Sequence, residues 1–388
     1  MDTISEAEHR ARIARAQTLM AEAGVDALFF TSEANIRYFT GYTSHRWLQP
    51  TSPEFGILPR EGDPILILPA IEMDRAASHP WLRTIRLAAP GYASTIAEAL
   101  GDVGAGEGRI GAELGSIFRL CMAQADFEAL KAALPQAAFV DGSDIFWALR
   151  IPKSPAEVAL MREACDITAR ALADLHAATK PGMSERELHA VMTAAVMRHG
   201  ADRPGSMPLA SRTPGEFREA DSHLRLHTRR TVREGDLIWL DAGSIVGGYW
   251  SDTFRMYSLG KASQESHDAY ATVYECVEAV VAATKPGAPT RAAMDAYARV
   301  IGASKYRAFA EGRFRRASLS HGIGLDLIEP PYMNQTDTSI LVPGTVLTLE
   351  PFIYQPDVGF FMIEEQVLVT ETGCEVLSQR APARLPEV

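Results

Sequence analysis

The pentapeptide Ala-Thr-Lys-Pro-Gly occurs twice in the chain, at Ala178–Gly182 and Ala283–Gly287, each time between stretches of helical pattern. A Pro-Gly step of this kind stops one helix and turns the chain into the next. Further on, EGDLIWLDAG (from Glu234) aligns with PGTVLTLEPF (from Pro343), and each has a glycine six residues before a carboxylate. The spacing between copies is 105 residues at the pentapeptides and 109 at Asp241 and Glu350. Two matches at nearly one offset read as a duplicated helix–helix–strand unit with a small insertion. Such a duplication restricts the second half of the chain to an arrangement with an internal pseudo-twofold.

The first copy continues as GDLIWLDAGSIVGGYWSDTFR, which predicts a β-hairpin turning at Gly247-Gly248. A turn centred between Val246 and Gly247 sets Asp241 directly opposite Asp252, roughly 5 Å apart, where two carboxylates repel. Beside so apolar a run they are also costly to bury unpaired. Arg255 is the obvious structural partner for Asp252, and a solvated hairpin mouth is the other ordinary explanation. The repeat changes the balance. Asp241 corresponds to Glu350, and Asp252 falls within a few residues of Glu364, which lies among Met362, Ile363 and Val367. Four carboxylates converging near a pseudo-twofold exceed what one arginine neutralises. His321, in SHGIGLDLIEPP, precedes a Gly-x-Gly that lets the backbone pack closely around an imidazole. One imidazole and four carboxylates suit two divalent ions, Mn²⁺, Co²⁺, Fe²⁺ or Zn²⁺, and differ from a thiolate-rich structural zinc site. A pair of such ions roughly 4 Å apart activates water and polarises a carbonyl, the chemistry of amide hydrolysis.

Before this region, roughly 145 residues alternate strand and helix, an α/β pattern. The predicted order is a helix at 5–23, strands at Val25–Phe30, FGILP and PILILP, then short alternating elements to Val140, with TSEANIRYFTGY as a loop. GDVGAGEGR precedes a strand instead of following one, so it is not a dinucleotide fingerprint. The boundary falls at IPKSPAEV, where Ser154 can cap a helix beginning at Pro155. The expected domains are therefore 1–150 and 151–388. A net charge of −11 with no basic block argues against nucleic acid or an anionic membrane as partner. The four cysteines (Cys121, Cys165, Cys276, Cys374) are scattered and read as reduced thiols. The amino terminus shows no apolar signal core, and no run approaches the roughly 20 apolar residues of a membrane span, so the cytoplasm is the expected compartment.

The segments DAGSIVGGYWSD, SHGIGLDLIEPP, LEPFIY and IEEQVLVTETG resemble those of the pita-bread metallopeptidases of family M24, which include prolidase, aminopeptidase P and methionine aminopeptidase. NIRYFTGY and the linker ALRIPKSPAEVALMREA extend the resemblance over nearly the whole chain. It implies a creatinase/prolidase-like α/β N-terminal domain followed by an α+β pita-bread catalytic domain. It also implies a dinuclear-metal hydrolase of the Xaa-Pro dipeptidase or aminopeptidase type acting on short peptides, with manganese as the first expectation. The implied metal ligands are Asp241, Asp252, His321, Glu350 and Glu364, with Asp252 and Glu364 bridging and Glu350 also handling the nucleophile's proton. His227 matches a substrate-contacting histidine, and Tyr354 is a candidate to steady the oxyanion. Three positions depart from the proline-specific members: Ile328 replaces a histidine, Ala317 another histidine, and Met362 an arginine. These departures keep open a small-molecule hydrolase or lyase, similar to creatinase, ectoine hydrolase or dimethylsulfoniopropionate lyase, with Ile328 lining the substrate site. A non-catalytic binding protein of the same fold is the third reading. The resemblance finally implies a homodimer in which the N-terminal domain of one subunit leans over the partner's site; the loop from Ser44, with Trp47, is the candidate for that contact, and a local packing loop is its plainer role.

Overall fold

The computed structural model describes residues 4–49, 54–88, 91–115, 117–216, 226–308, 318–355 and 358–388. The chain divides into two compact units, Met1–Arg150 and Ile151–Val388.

In the first unit, helices α1 (Glu6–Ala23), α2 (Glu33–Thr40), α3 (Met73–Ala77), α4 (Ala93–Asp102), α5 (Gln124–Ala133) and α6 (Ser143–Arg150) alternate with six strands. The strands are β1 (Ala27–Phe30), β2 (Phe55–Pro59), β3 (Ile65–Leu68), β4 (Thr84–Leu87), β5 (Arg109–Ala112) and β6 (Ala138–Asp141), in the sheet order β4-β3-β2-β1-β5-β6. This is the α/β pattern expected, with one correction. TSEANIRYFTGY is not a loop: its centre is α2, capped by the Ser32 hydroxyl on the Asn35 N–H and ended by Gly41 at φ 69°. Ile36, Tyr38 and Phe39 of this helix are fully buried, so packing outweighs the short length of the segment.

In the second unit the linker serine acts as expected. Ser154 and Glu157 form a reciprocal capping box at the start of α7 (Pro155–Ala178), followed by α8 (Glu185–Arg198). Strands β7 (Arg203–Pro204), β8 (Leu209–Arg212), β9 (Leu237–Ala242), β10 (Ser244–Val246), β11 (Tyr249–Trp250) and β12 (Thr253–Ser258) follow. The second copy then runs α9 (Gln264–Ala283), α10 (Arg291–Ala303), β13 (His321–Gly322), β14 (Glu329–Tyr332), β15 (Val346–Leu349), β16 (Phe352–Gln355), β17 (Gly359–Met362), β18 (Glu365–Val369) and β19 (Cys374–Val376).

The duplication is visible in individual hydrogen bonds. Gly182 N–H donates to Val232 and Gly287 N–H to Leu341, at 2.8 and 2.9 Å. Isolated bridges join Ser184 to Thr231 and Pro289 to Ile340. Asp241 N–H donates to Pro208 and Glu350 N–H to Leu319. The three-strand order β12-β9-β8 matches β18-β15-β13. Both copies share one core, in which Trp239, Phe254 and Met256 join Leu347, Phe361 and Val367 beneath Tyr270, Val273 and Tyr297 of α9 and α10.

Candidate metal centre

The first hairpin turns one position later than its sequence suggested. Val246 pairs with Tyr249 and Ile245 with Trp250, so Gly247 and Gly248, at φ 58° and 88°, form the two-residue turn. Both turn residues need positive φ, which only glycine adopts without strain. The register that follows puts Phe254 opposite Asp241. Asp252 is therefore the diagonal neighbour of Asp241 and not its direct partner. A shift of two keeps both carboxylates on one face of the sheet, so their meeting survives the correction. In the second copy Leu349 pairs with Glu365 and Phe352 with Met362, a continuous register that sets Glu350 opposite Glu364.

The two hairpins are joined where their carboxylates lie. Glu364 N–H donates to the Phe254 carbonyl at 3.3 Å, and Asp252 N–H to the Gln366 side-chain oxygen at 3.0 Å. Ligating atoms of Asp252, His321 and Glu364 all fall within 4.8 Å of one another, and His321 Nε2 stands 3.8 Å from both Asp252 Oδ2 and Glu350 Oε1. Asp241 Oδ1 is buried without a hydrogen-bond partner. Arg255 does not neutralise Asp252. It extends from the opposite face of β12, bonds the Glu364 carbonyl, and pairs with Glu365 at 2.8 Å.

The electrostatics follow from this crowding. Burial, with a hydrogen bond from Asp252 opposing it, pushes the Asp241 carboxyl up to about 6. Burial and then the Asp241 charge push Glu350 up to about 8. Asp252 and Glu364 are raised well above the carboxylate range, first by burial and then by their acidic neighbours. Burial lowers His321, favouring the neutral imidazole, whose Nδ1 is 2.9 Å from the Gly322 carbonyl and whose Nε2 faces the carboxylates. Four carboxylates that resist ionisation, one orphaned oxygen and one neutral imidazole fit divalent cations well, because positive charge relieves every one of these costs at once.

Other candidate residues lie as follows. Tyr354 is half-buried on β16, paired with Phe360 of β17. His227 stacks on His189 of α8 with ring centroids 4.0 Å apart, and its Nδ1 is buried without a hydrogen-bond partner. Burial, reinforced by the neighbouring His227, lowers the His189 pKa. Ile328 is 55% exposed, whereas Met362 is buried at 1%. Trp47, in the first unit, meets Tyr42 edge-on and lies under the Arg37 guanidinium. Ala317 lies outside the described residues. Sequence reasoning overlooked Gln366, which anchors Asp252, and His189; neither carries a spacing signal that marks it.

The N-terminal unit matches the model of the creatinase/prolidase N-terminal domain over residues 12–151, and residues 159–371 match that of metallopeptidase family M24. The chain belongs to family M24. It is 27% identical over 370 residues to a Xaa-Pro dipeptidase of Pyrococcus furiosus, covering 95% of this chain and 97% of that one. A Xaa-Pro dipeptidase of Pyrococcus horikoshii is 30% identical over 252 residues, 65% of this chain and 69% of the relative. In fold the chain resembles the Xaa-Pro dipeptidase of Bacillus anthracis, with a TM-score of 0.84 at 24% identity over 98% of this chain and 100% of that one. As an M24 member it is a metal-dependent amide hydrolase with the pita-bread fold in its second unit. Among the described residues no helix is long and apolar enough to cross a membrane.

Proposed function

We propose that this protein is a manganese-dependent peptidase that hydrolyses short Xaa-Pro peptides in the cytoplasm, working as a homodimer. The convergence of Asp252, His321 and Glu364 within 4.8 Å, in a metallopeptidase whose relatives are Xaa-Pro dipeptidases, carries the reading. Asp241, Asp252, His321, Glu350 and Glu364 would hold the ions. The chemistry that two such ions supply is activation of water and polarisation of the scissile carbonyl. Glu350 takes the proton of the attacking water and returns it to the leaving nitrogen. His227 contacts the substrate, Tyr354 steadies the oxyanion, and Trp47 is the residue that reaches a partner subunit's substrate site.

A second reading has its own observation. The exposed Ile328 and buried Met362 stand where the proline-specific members carry a histidine and an arginine, which favours a non-peptide substrate. One assay separates the two. Metal-stripped protein, reloaded with Mn²⁺, is offered Gly-Pro and Ala-Pro beside creatine, cyclic amides and a sulfonium betaine. Manganese-dependent cleavage of the dipeptides is expected; turnover of a non-peptide without any dipeptide cleavage overturns the peptidase assignment.

A further inference from the structure

Lys153 and Glu329 form an ion pair at 2.9 Å whose side chains are only 2% and 1% exposed. Neither belongs to the carboxylate cluster, and the reaction sketched above uses neither. A buried pair of this kind is poor evidence for stability, because desolvating both charges offsets most of their attraction. Its position gives it another use.

Each of the two residues is tied to a segment that delivers a metal-facing side chain. Glu329 opens β14 and pairs through its backbone with Gly322, the residue after His321. Its carboxylate folds back beneath the intervening loop, where Oε1 accepts the Asp326 N–H at 3.1 Å. Lys153 N–H donates to the Gly344 carbonyl at 2.9 Å, and Pro152 bridges to Thr345, immediately before the strand that ends at Glu350. The same loop is held from a third side by Trp250, two residues before Asp252. Its backbone N–H donates to Gly324 and its indole N–H to Leu325. The loop closes so tightly over the pair that a Cβ on Gly324 would lie 2.9 Å from both Glu329 oxygens and from Lys153 Cε.

We infer that the Lys153–Glu329 pair is a positioning device, which locks the loop after His321 so that the imidazole meets the Asp252 and Glu350 carboxylates in ligand geometry. The inference rests on the metal reading of the site proposed above. Outer partners that fix a ligand's orientation typically change metal affinity by about 10–100-fold when removed, and the ion nearest His321 is the one that should feel it.

The test is calorimetric titration of metal-stripped protein with MnCl₂, with melting temperature followed in parallel. In Lys153→Met one of the two manganese equivalents should weaken by about 10-fold or more while the other changes little. The double variant Lys153→Met/Glu329→Met has no charge left to bury, so its melting temperature should recover while the weakened equivalent does not. Wild-type affinity in Lys153→Met, or recovery of both properties in the double variant, overturns the inference and leaves the metal site standing. If Lys153→Met does not fold, Gly324→Ala sets a methyl group against both members of the pair, so that they must shift, without altering charge. Weakening of the same equivalent in that variant supports the inference, and wild-type affinity overturns it. A wild-type protein that binds no manganese removes the metal reading, and the inference with it.

Discussion

The carboxylate cluster makes a prediction about the metal-free protein that runs against ordinary expectation, namely that deleting an active-site charge should stabilise it. Glu350 is held at about 8 instead of its ordinary 4.5. Below about pH 4.5 the group is protonated in both folded and unfolded chains and contributes nothing. As pH rises, the unfolded chain releases this proton first, so stability is lost between about pH 4.5 and 8 and stays lost above. At about 1.4 kcal/mol per pH unit the full loss is about 5 kcal/mol. The Glu350 side chain keeps 19% of its exposure, so solvent screening reduces that to a few kcal/mol. Glu350→Gln removes the ionisation while keeping the shape. For a unit of this size, 1 kcal/mol moves the melting temperature by about 2–4 °C. Calorimetry of EDTA-treated protein should therefore show Glu350→Gln melting about 5–10 °C above wild type at pH 8 and level with it at pH 4.5. Saturating Mn²⁺ should reverse the order at pH 8, since wild type gains a ligand and the variant does not. Equal or lower melting of the metal-free variant at pH 8 would refute the reasoning, because the cluster would then be solvated enough to ionise freely.

Three further outcomes are expected. Ile328→His should raise kcat/KM on Gly-Pro by about 10-fold or more if peptides are the substrate, with a stability change within about 0.5 kcal/mol because the position is exposed; a steady-state assay of the manganese enzyme decides. His227→Ala should lower kcat/KM on dipeptides by about 10-fold or more while metal content, measured by elemental analysis, stays at the wild-type value; a parallel fall in both would assign His227 to the metal centre instead. Arg255→Met removes the cation beside the buried Glu365 and should cost about 3–5 kcal/mol, read as a fall in denaturation midpoint with the slope unchanged.

The elements that were legible in the sequence are those whose signal is local or repeated. The ATKPG copies foretold the helix pairs, because a helix stop leaves its mark in five residues. The four carboxylates of the cluster could be singled out because carboxylates within apolar strands are costly enough to be conspicuous, and His321 because a Gly-x-Gly follows it. The turn was misplaced by one residue because Gly247 and Gly248 are both able to adopt positive φ, and only the pairing of Val246 with Tyr249 shows that both do. Face survived that error and direct opposition did not. Helix α2 was missed since eight residues carry little periodicity, and its fate is decided by what Ile36 and Phe39 pack against. Lys153 and Glu329 each stood in a quoted motif, yet 176 residues separate them and nothing local announces that they meet.

The two copies differ at one telling position. Ala210 on β8 stands opposite Trp239, and the corresponding place on β13, beside Thr348, is taken by His321. The first copy thus offers oxygen donors alone, and only the second adds a nitrogen. A two-ion centre at this cluster, as proposed above, would therefore be unequal, with one berth hard and the other borderline. Two ions of the same element would fill it in sequence and leave it in sequence, and a cell rich in two different metals could load it with one of each.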